Sequence, residues 1–233
     1  MKTNFFLAAG MLIAAIATGQ NRELKSIEVA PPKFKTSAPE SVEEFIKANV
    51  GYPAETYKWR MEGTEVVQFV VTSEGEIKDF KVINSVSREI DNEVIRLLML
   101  TDKMWIPGTK NGEPVSMEKE VSLAFQLSPA SDFVERAKWY MSKGNELCFQ
   151  KDKPGKALRF YDMAVNYLPN DEAIISIRGL CKYMMGNINE ADKDWERANI
   201  LADRKGIVID FEKLAKSSIK LQEFEKMLLS VEK

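Results

Sequence analysis

Ala157, Tyr161 and Ala164 recur as Ala191, Trp195 and Ala198, each pair 34 residues apart. This shared register constrains the C-terminal part of the chain more tightly than any other feature. Spacings of four and three residues put a small, a large and a small side chain on one helix face. A period of this size marks stacked helical hairpins, each burying its apolar face on the next. Gly144 and Gly179 precede the two triplets, where a helix must come close to its neighbour. They are 35 residues apart, so the first unit carries one extra residue, expected near Lys153-Pro154. Two hairpins are therefore expected within residues 131–203.

A stack of two is short of the roughly three units that stability usually requires. Phe211, Leu214, Ser218, Leu221, Phe224 and Leu228 line one face of a predicted capping helix, from about Asp210 to Ser230. The module as a whole is expected over 131–233. Its other end is expected to meet the preceding domain through Phe133, Trp139 and Tyr140; an exposed docking patch is the alternative.

The middle of the chain has a different rhythm. Ser41 followed by Glu44 forms a capping box, and Val42, Phe45, Ile46 and Val50 supply an apolar stripe. That helix must stop before Pro53. Val67, Phe69 and Val71 alternate with Val66 and Val70, Gly75 sits in a turn, and Phe80, Val82 and Ile83 follow in a second β-rich run. The pair reads as an antiparallel hairpin. Ile90, Val94, Leu97 and Leu98 give helical spacing between Arg88 and Lys103. Val115 to Leu127 then returns as one long strand. The order is helix–strand–strand–helix–strand, a helical layer on a small antiparallel sheet. The glycines at 63, 75, 108 and 112 are read as serving backbone conformation. The fold class is α+β, joined to an all-α hairpin module with its capping helix.

The N-terminus reads as a cleavable export signal over residues 1–19: Lys2, an apolar run from Phe5 to Ala17, then Ala17-Thr18-Gly19 with Gln20 as the expected mature start. An uncleaved anchor is the alternative. Residues 20–40 read as a linker containing Pro31, Pro32 and Pro39. The chain has no histidine, which excludes imidazole-based triads and His-ligated zinc. A net charge of −2 supplies no global field for nucleic acid. Carboxylates such as Glu43-Glu44 and Asp192 with Asp194 fall on faces expected to be solvated, and no phosphate loop or nucleophile–base spacing is visible. No cofactor, no metal and no enzymatic activity are expected. Cys148 and Cys181 both fall in predicted helices, as buried small hydrophobes or as a disulfide.

Tyr52-Pro53-Ala54, Gly63 ahead of Phe69-Val70-Val71, Gly75, Val82 and Ser85, Trp105-Ile106-Pro107-Gly108, Asn111-Gly112-Glu113-Pro114-Val115 and Phe125 occur in an order that resembles the TonB C-terminal domain over about residues 41–128. Tyr52, Pro53, Trp105 and Pro107 are its family-motif positions here, with a helix stop and a core anchor as the plain structural alternatives. The 34-residue repeat, with Pro169 closing the first unit, resembles tetratricopeptide (TPR) repeats over 131–203.

The TonB resemblance implies recognition of an extended segment of an outer-membrane receptor by strand addition, in the periplasm of a Gram-negative envelope. Its expected seat is the last strand: Met117, Glu118, Lys119, Glu120, Val121, Ser122 and Leu123. Outward-facing Glu118, Glu120 and Ser122 serve equally well as charge that blunts an edge. By repeat position, Lys138, Met141, Asn145, Ser176, Leu180 and Tyr183 form the concave face of the helical module, either a peptide groove or part of a scaffold. Three departures separate the chain from an energy transducer: the cleavable N-terminus, the missing Pro-rich spacer and the absent membrane histidine. A membrane-anchored transducer and a self-pairing homodimeric scaffold stand as alternatives.

Overall fold

The computed structural model describes residues 28–35 and 41–206; the export signal and the capping helix expected from the sequence lie outside the described residues. Two short strands come first, β1 (Val29–Ala30) and β2 (Lys33–Phe34). Helices α1 (Val42–Asn49) and α2 (Ala54–Lys58) come next, then the hairpin β3 (Gly63–Val71) and β4 (Ile77–Asn84), helix α3 (Arg88–Met99), the short strands β5 (Trp105–Ile106), β6 (Gly108–Lys110) and β7 (Glu113–Val115), and the nine-residue β8 (Met117–Phe125). The rest is helical: α4 (Phe133–Asn145), a π-turn over Glu146–Gln150, α5 (Pro154–Tyr167), α6 (Glu172–Met184) and α7 (Ile188–Arg204).

The capping expectation holds: Ser41 Oγ accepts from the Glu44 amide at 3.1 Å, and Ser87 caps α3 in the same way through Ile90 at 3.2 Å. Gly75 turns the β3–β4 hairpin at φ +81°, and a β-carbon there would stand 2.5 Å from the Trp105 carbonyl oxygen. The main sheet has the order β4-β3-β8, all antiparallel. Helices α1 and α3 cover one face, and Ile46, Phe69, Ile90, Val94, Leu97, Val121 and Leu123 form the core between.

Two expectations are corrected. The expected linker is in part a structural element: β1 pairs with β6 and β2 with β5, so residues 28–35 are stitched to the Trp105–Lys110 segment. The expected strand from Val115 to Leu127 is two strands, β7 pairing with β6 and β8 with β3. The Pro107 imide cannot donate to a ladder, and at this residue the chain changes partner from β2 to β1.

In the helical half the 34-residue register is a packing rule. A β-carbon on Gly144 would lie 2.5 Å from the Tyr161 ring, and one on Gly179 would lie 2.6 Å from the Trp195 indole nitrogen. Each hairpin therefore closes by seating an aromatic on a glycine. The extra residue of the first unit is absorbed in the π-turn Glu146–Gln150 rather than at Lys153-Pro154, since a π-turn is an α-helix with one residue inserted. Asp194 of α7, buried, accepts from Arg178 at 2.7 and 2.9 Å and from Lys182 at 2.7 Å, holding α6 to α7.

The core beneath the sheet also holds a carboxyl. Glu65 of β3 is fully buried; its Oε2 accepts from the Val86 amide at 2.9 Å and its Oε1 has no partner. Burial, with Asp91 nearby, pushes its carboxyl up to about 8, so it is neutral at physiological pH.

The Glu65 carboxyl titrates near 4.5 when unfolded and near 8 when folded, so stability is expected to fall as pH rises from about 4.5 to 8 and then to level off. Urea unfolding of Glu65→Gln across that range is expected to lose this slope and to exceed the parent above pH 8. Gly144→Ala is expected to cost ~1–2 kcal/mol, because the clash with Tyr161 outweighs alanine's better helix propensity. Gly155→Ala, with only Met185 Cε at 3.8 Å, is the matched control and is expected to be neutral or stabilising in the same assay.

Candidate strand-edge recognition site

The nine residues of β8 pair with β3 from Met117 opposite Val71 to Phe125 opposite Gly63. Among the described residues no strand pairs with its other side. Alternation then sorts the expected site residues by face. Val121 and Leu123 are buried in the core, and Met117 and Lys119, half-buried, share their side of the strand. Glu118, Glu120 and Ser122 point the other way.

That outward face is where sequence reasoning misplaced its residues. Glu118 accepts from Gln68 on the neighbouring strand at 3.1 Å. Glu120 is gripped by Arg197 of α7 through two hydrogen bonds of 2.7 Å, leaving its side chain only 9% exposed. Arg197 also donates to Asn170 Oδ1 at 2.7 Å, and Asn170 reaches Ser122 Oγ at 3.3 Å. Glu120 and Ser122 are therefore engaged by the helical half instead of standing free at an edge. They anchor the helical half to the sheet.

The contact continues on β3. Thr64 Oγ1 donates to the Tyr167 carbonyl at 2.7 Å, and Asn166 Nδ2 donates to the Glu62 carbonyl at 2.8 Å. A side chain on Gly63 would meet Asn166 at 2.6 Å, so this glycine makes room for the helical half instead of supplying a special φ. Gly108 is likewise set by crowding, against Met117 and the Ala30 carbonyl. Glu62, buried, accepts from the Leu127 amide (2.8 Å), Ser131 Oγ (2.6 Å) and Arg136 (2.8 Å). Burial opposes its ionisation, but these donors win and hold its carboxyl below the usual range. Glu62, Asn166, Asn170 and Arg197 carry no sequence motif. Their positions become meaningful only once the halves are docked.

The motif residues divide between core and cleft. Tyr52 packs edge-on to Phe125 and Tyr57, both at 6.0 Å, and its hydroxyl donates to the Met61 carbonyl. Pro53 starts α2. Lys47, Val50 and Tyr52 line, with Leu123 to Gln126, an open cleft of about 190 Å³ beside the end of β8. Trp105 is a core anchor: buried, 5.3 Å from both Phe34 and Phe69, and donating to Thr101 Oγ1 at 3.1 Å.

The expected concave face of the helical half does not assemble. Ser176 and Leu180 are buried, Ser176 donating to the Glu172 carbonyl at 2.5 Å. Asn145 is taken by the Tyr161 hydroxyl at 3.0 Å, and Met141 is packed into the core. Lys138 and Tyr183 remain exposed, Tyr183 resting on Trp195. Their expected partners are buried because α6 lies between the first hairpin and α7. Trp139 is 53% exposed and does not join the halves; Phe133 packs on Tyr167 at 4.9 Å.

Among the described residues there is no group of acidic or cysteine side chains placed to hold a metal ion, and no helix is long and apolar enough to cross a membrane. Residues 48–127, roughly a third of the chain, match the family model described as the Gram-negative bacterial TonB protein C-terminal. No curated protein and no solved structure matches the chain.

Arg197→Ala leaves buried Glu120 with only the more distant Arg204 at 3.8 Å and is expected to cost about 2–3 kcal/mol. Urea unfolding measures the loss. Hydrogen exchange is expected to quicken at Thr64 and across β8, while the α3 amides change less.

Proposed function

We propose that this is a non-catalytic periplasmic adaptor that captures an extended peptide along the open side of β8, the peptide belonging to an outer-membrane receptor or another envelope protein. One observation carries the reading: among the described residues a nine-residue strand has a single strand partner, and its apolar side chains and Glu120 are already committed on opposite faces. What such a strand has left to offer is main-chain N–H and C=O along one edge, the means by which sheets add a strand. The cleft by Lys47, Val50 and Tyr52 stands at the end of that edge and suits one side chain of an added strand. The family match over residues 48–127 supports the same mode.

On this proposal the helical half is a pair of TPR hairpins acting as a scaffold. The recurrence of the glycine–aromatic seat at Gly144 with Tyr161 and Gly179 with Trp195 supports the repeat. Burial of Ser176 and Leu180 argues against a peptide groove, while the Arg197–Glu120 clasp suits a part that steadies β8 from behind.

Amide hydrogen exchange by NMR on the purified full chain tests this. Within 117–125, amides facing β3 are expected to exchange slowly and the alternate set quickly. Titration with extended peptides from the periplasmic segments of outer-membrane receptors is expected to protect the fast set at least tenfold. Protection that rises with protein concentration alone marks pairing with a second copy instead. Unchanged β8 amides under saturating peptide refute the proposal.

A further inference from the structure

Cys148 and Cys181 are the chain's only cysteines, 33 residues apart in sequence. The fold brings them together. Cys148 lies in the π-turn after α4, Cys181 lies in α6, and both are buried in one apolar cluster with Ala157, Tyr161, Ile177 and Leu180. Both are free thiols, and their side chains are within hydrogen-bonding reach of each other. Cys148 Sγ also contacts Met184 Sδ at 3.8 Å, and Cys181 Sγ donates to the Pro154 carbonyl at 3.2 Å. The π-turn contributes to the meeting, since one inserted residue rotates the next part of the helix by about 100° around its axis. Two cysteines that served only as small apolar fillers would have no reason to share one six-residue cluster, given the many other core positions available.

We propose that Cys148 and Cys181 are an oxidation site, forming an intramolecular disulfide that ties the first helical hairpin to the second, with a small-molecule or protein disulfide as the oxidant. The neighbouring Cys181 side chain holds the Cys148 thiol below its ordinary value against the effect of burial, while the same neighbourhood and burial push Cys181 up. Cys148 is thus the attacking sulfur. Its thiolate attacks one sulfur of the oxidant's disulfide, forms a mixed disulfide and releases one thiolate, which takes up the proton Cys148 lost. Cys181 then loses its proton, its thiolate attacks Cys148 Sγ, and the second oxidant thiolate leaves and is protonated. Two protein thiols are oxidised by two electrons, and one oxidant disulfide becomes two thiols. Both sulfurs are shielded in the docked hairpins, so the exchange runs as the hairpins close during folding or open locally. The periplasmic side of a Gram-negative envelope sustains such a bond.

The test unfolds and reduces the full chain, then refolds it either with oxidised glutathione or with excess reductant. Thiols are counted with Ellman's reagent in denaturant, and intact mass and melting temperature are measured. The oxidised sample is expected to have no free thiol, to weigh about 2 Da less, to stay unlinked between chains, and to melt roughly 10 °C higher than the reduced sample. The shift is expected to vanish in Cys181→Ser and in the apolar variant Cys181→Ala, which guards against a misfolded serine variant. Persistent free thiols, stable glutathione adducts, chain-to-chain dimers or an unshifted melting temperature would each overturn the proposal.

Discussion

The strand β3 runs through the centre of the molecule and is covered on both faces. On one side Val67, Phe69 and Val71 meet α1 and α3; on the other, Thr64 and the fully buried Val66 lie under the helical half. A strand enclosed in this way must have its hydrogen bonds satisfied by strands on either side. β4 and β8 fill those places and become the two edges. The Gly63–Asn166 approach belongs to the same constraint, since any side chain there would lift the helical half from the sheet.

The contact between the halves is polar and specific. Arg197 meets Glu120 as a planar fork on a carboxylate, and Asn170 extends the link to Ser122. Ion pairs of this kind add little net stability over an apolar contact but cost much to break, and they fix one docking geometry. They also remove Glu120 and Ser122 from the surface. A β8 whose apolar side chains, Glu120 and Ser122 are engaged presents chiefly its main chain to the outside. On the proposed function, peptide backbone is then the natural ligand, and discrimination falls to the strand's end, beside Tyr52 and Lys47.

Much of the fold was legible in the sequence because it rests on local rules. The Ser41 cap, the β3–β4 hairpin with Gly75, the α3 stripe and the 34-residue small–aromatic–small register each depend on residues a few positions apart or on one period. The candidate site was less legible. The sequence located the last strand and its alternation, but the outward set looked solvated, and Ser176 and Leu180 looked like groove residues. Both errors have one source: a face of a helix or strand carries no mark of what will later cover it.

By itself the sequence determined the elements and their periods: where helices start, where glycine must turn the chain, and which small and aromatic positions recur, because backbone sterics and side-chain volume act over short range. Only the tertiary structure decided that residues 28–35 belong to the domain, that Arg197 closes on Glu120, and that two distant cysteines share one buried cluster. Those depend on docking angles between whole elements, where a rotation of one helix by a single residue moves a side chain by about 100° and changes its partner.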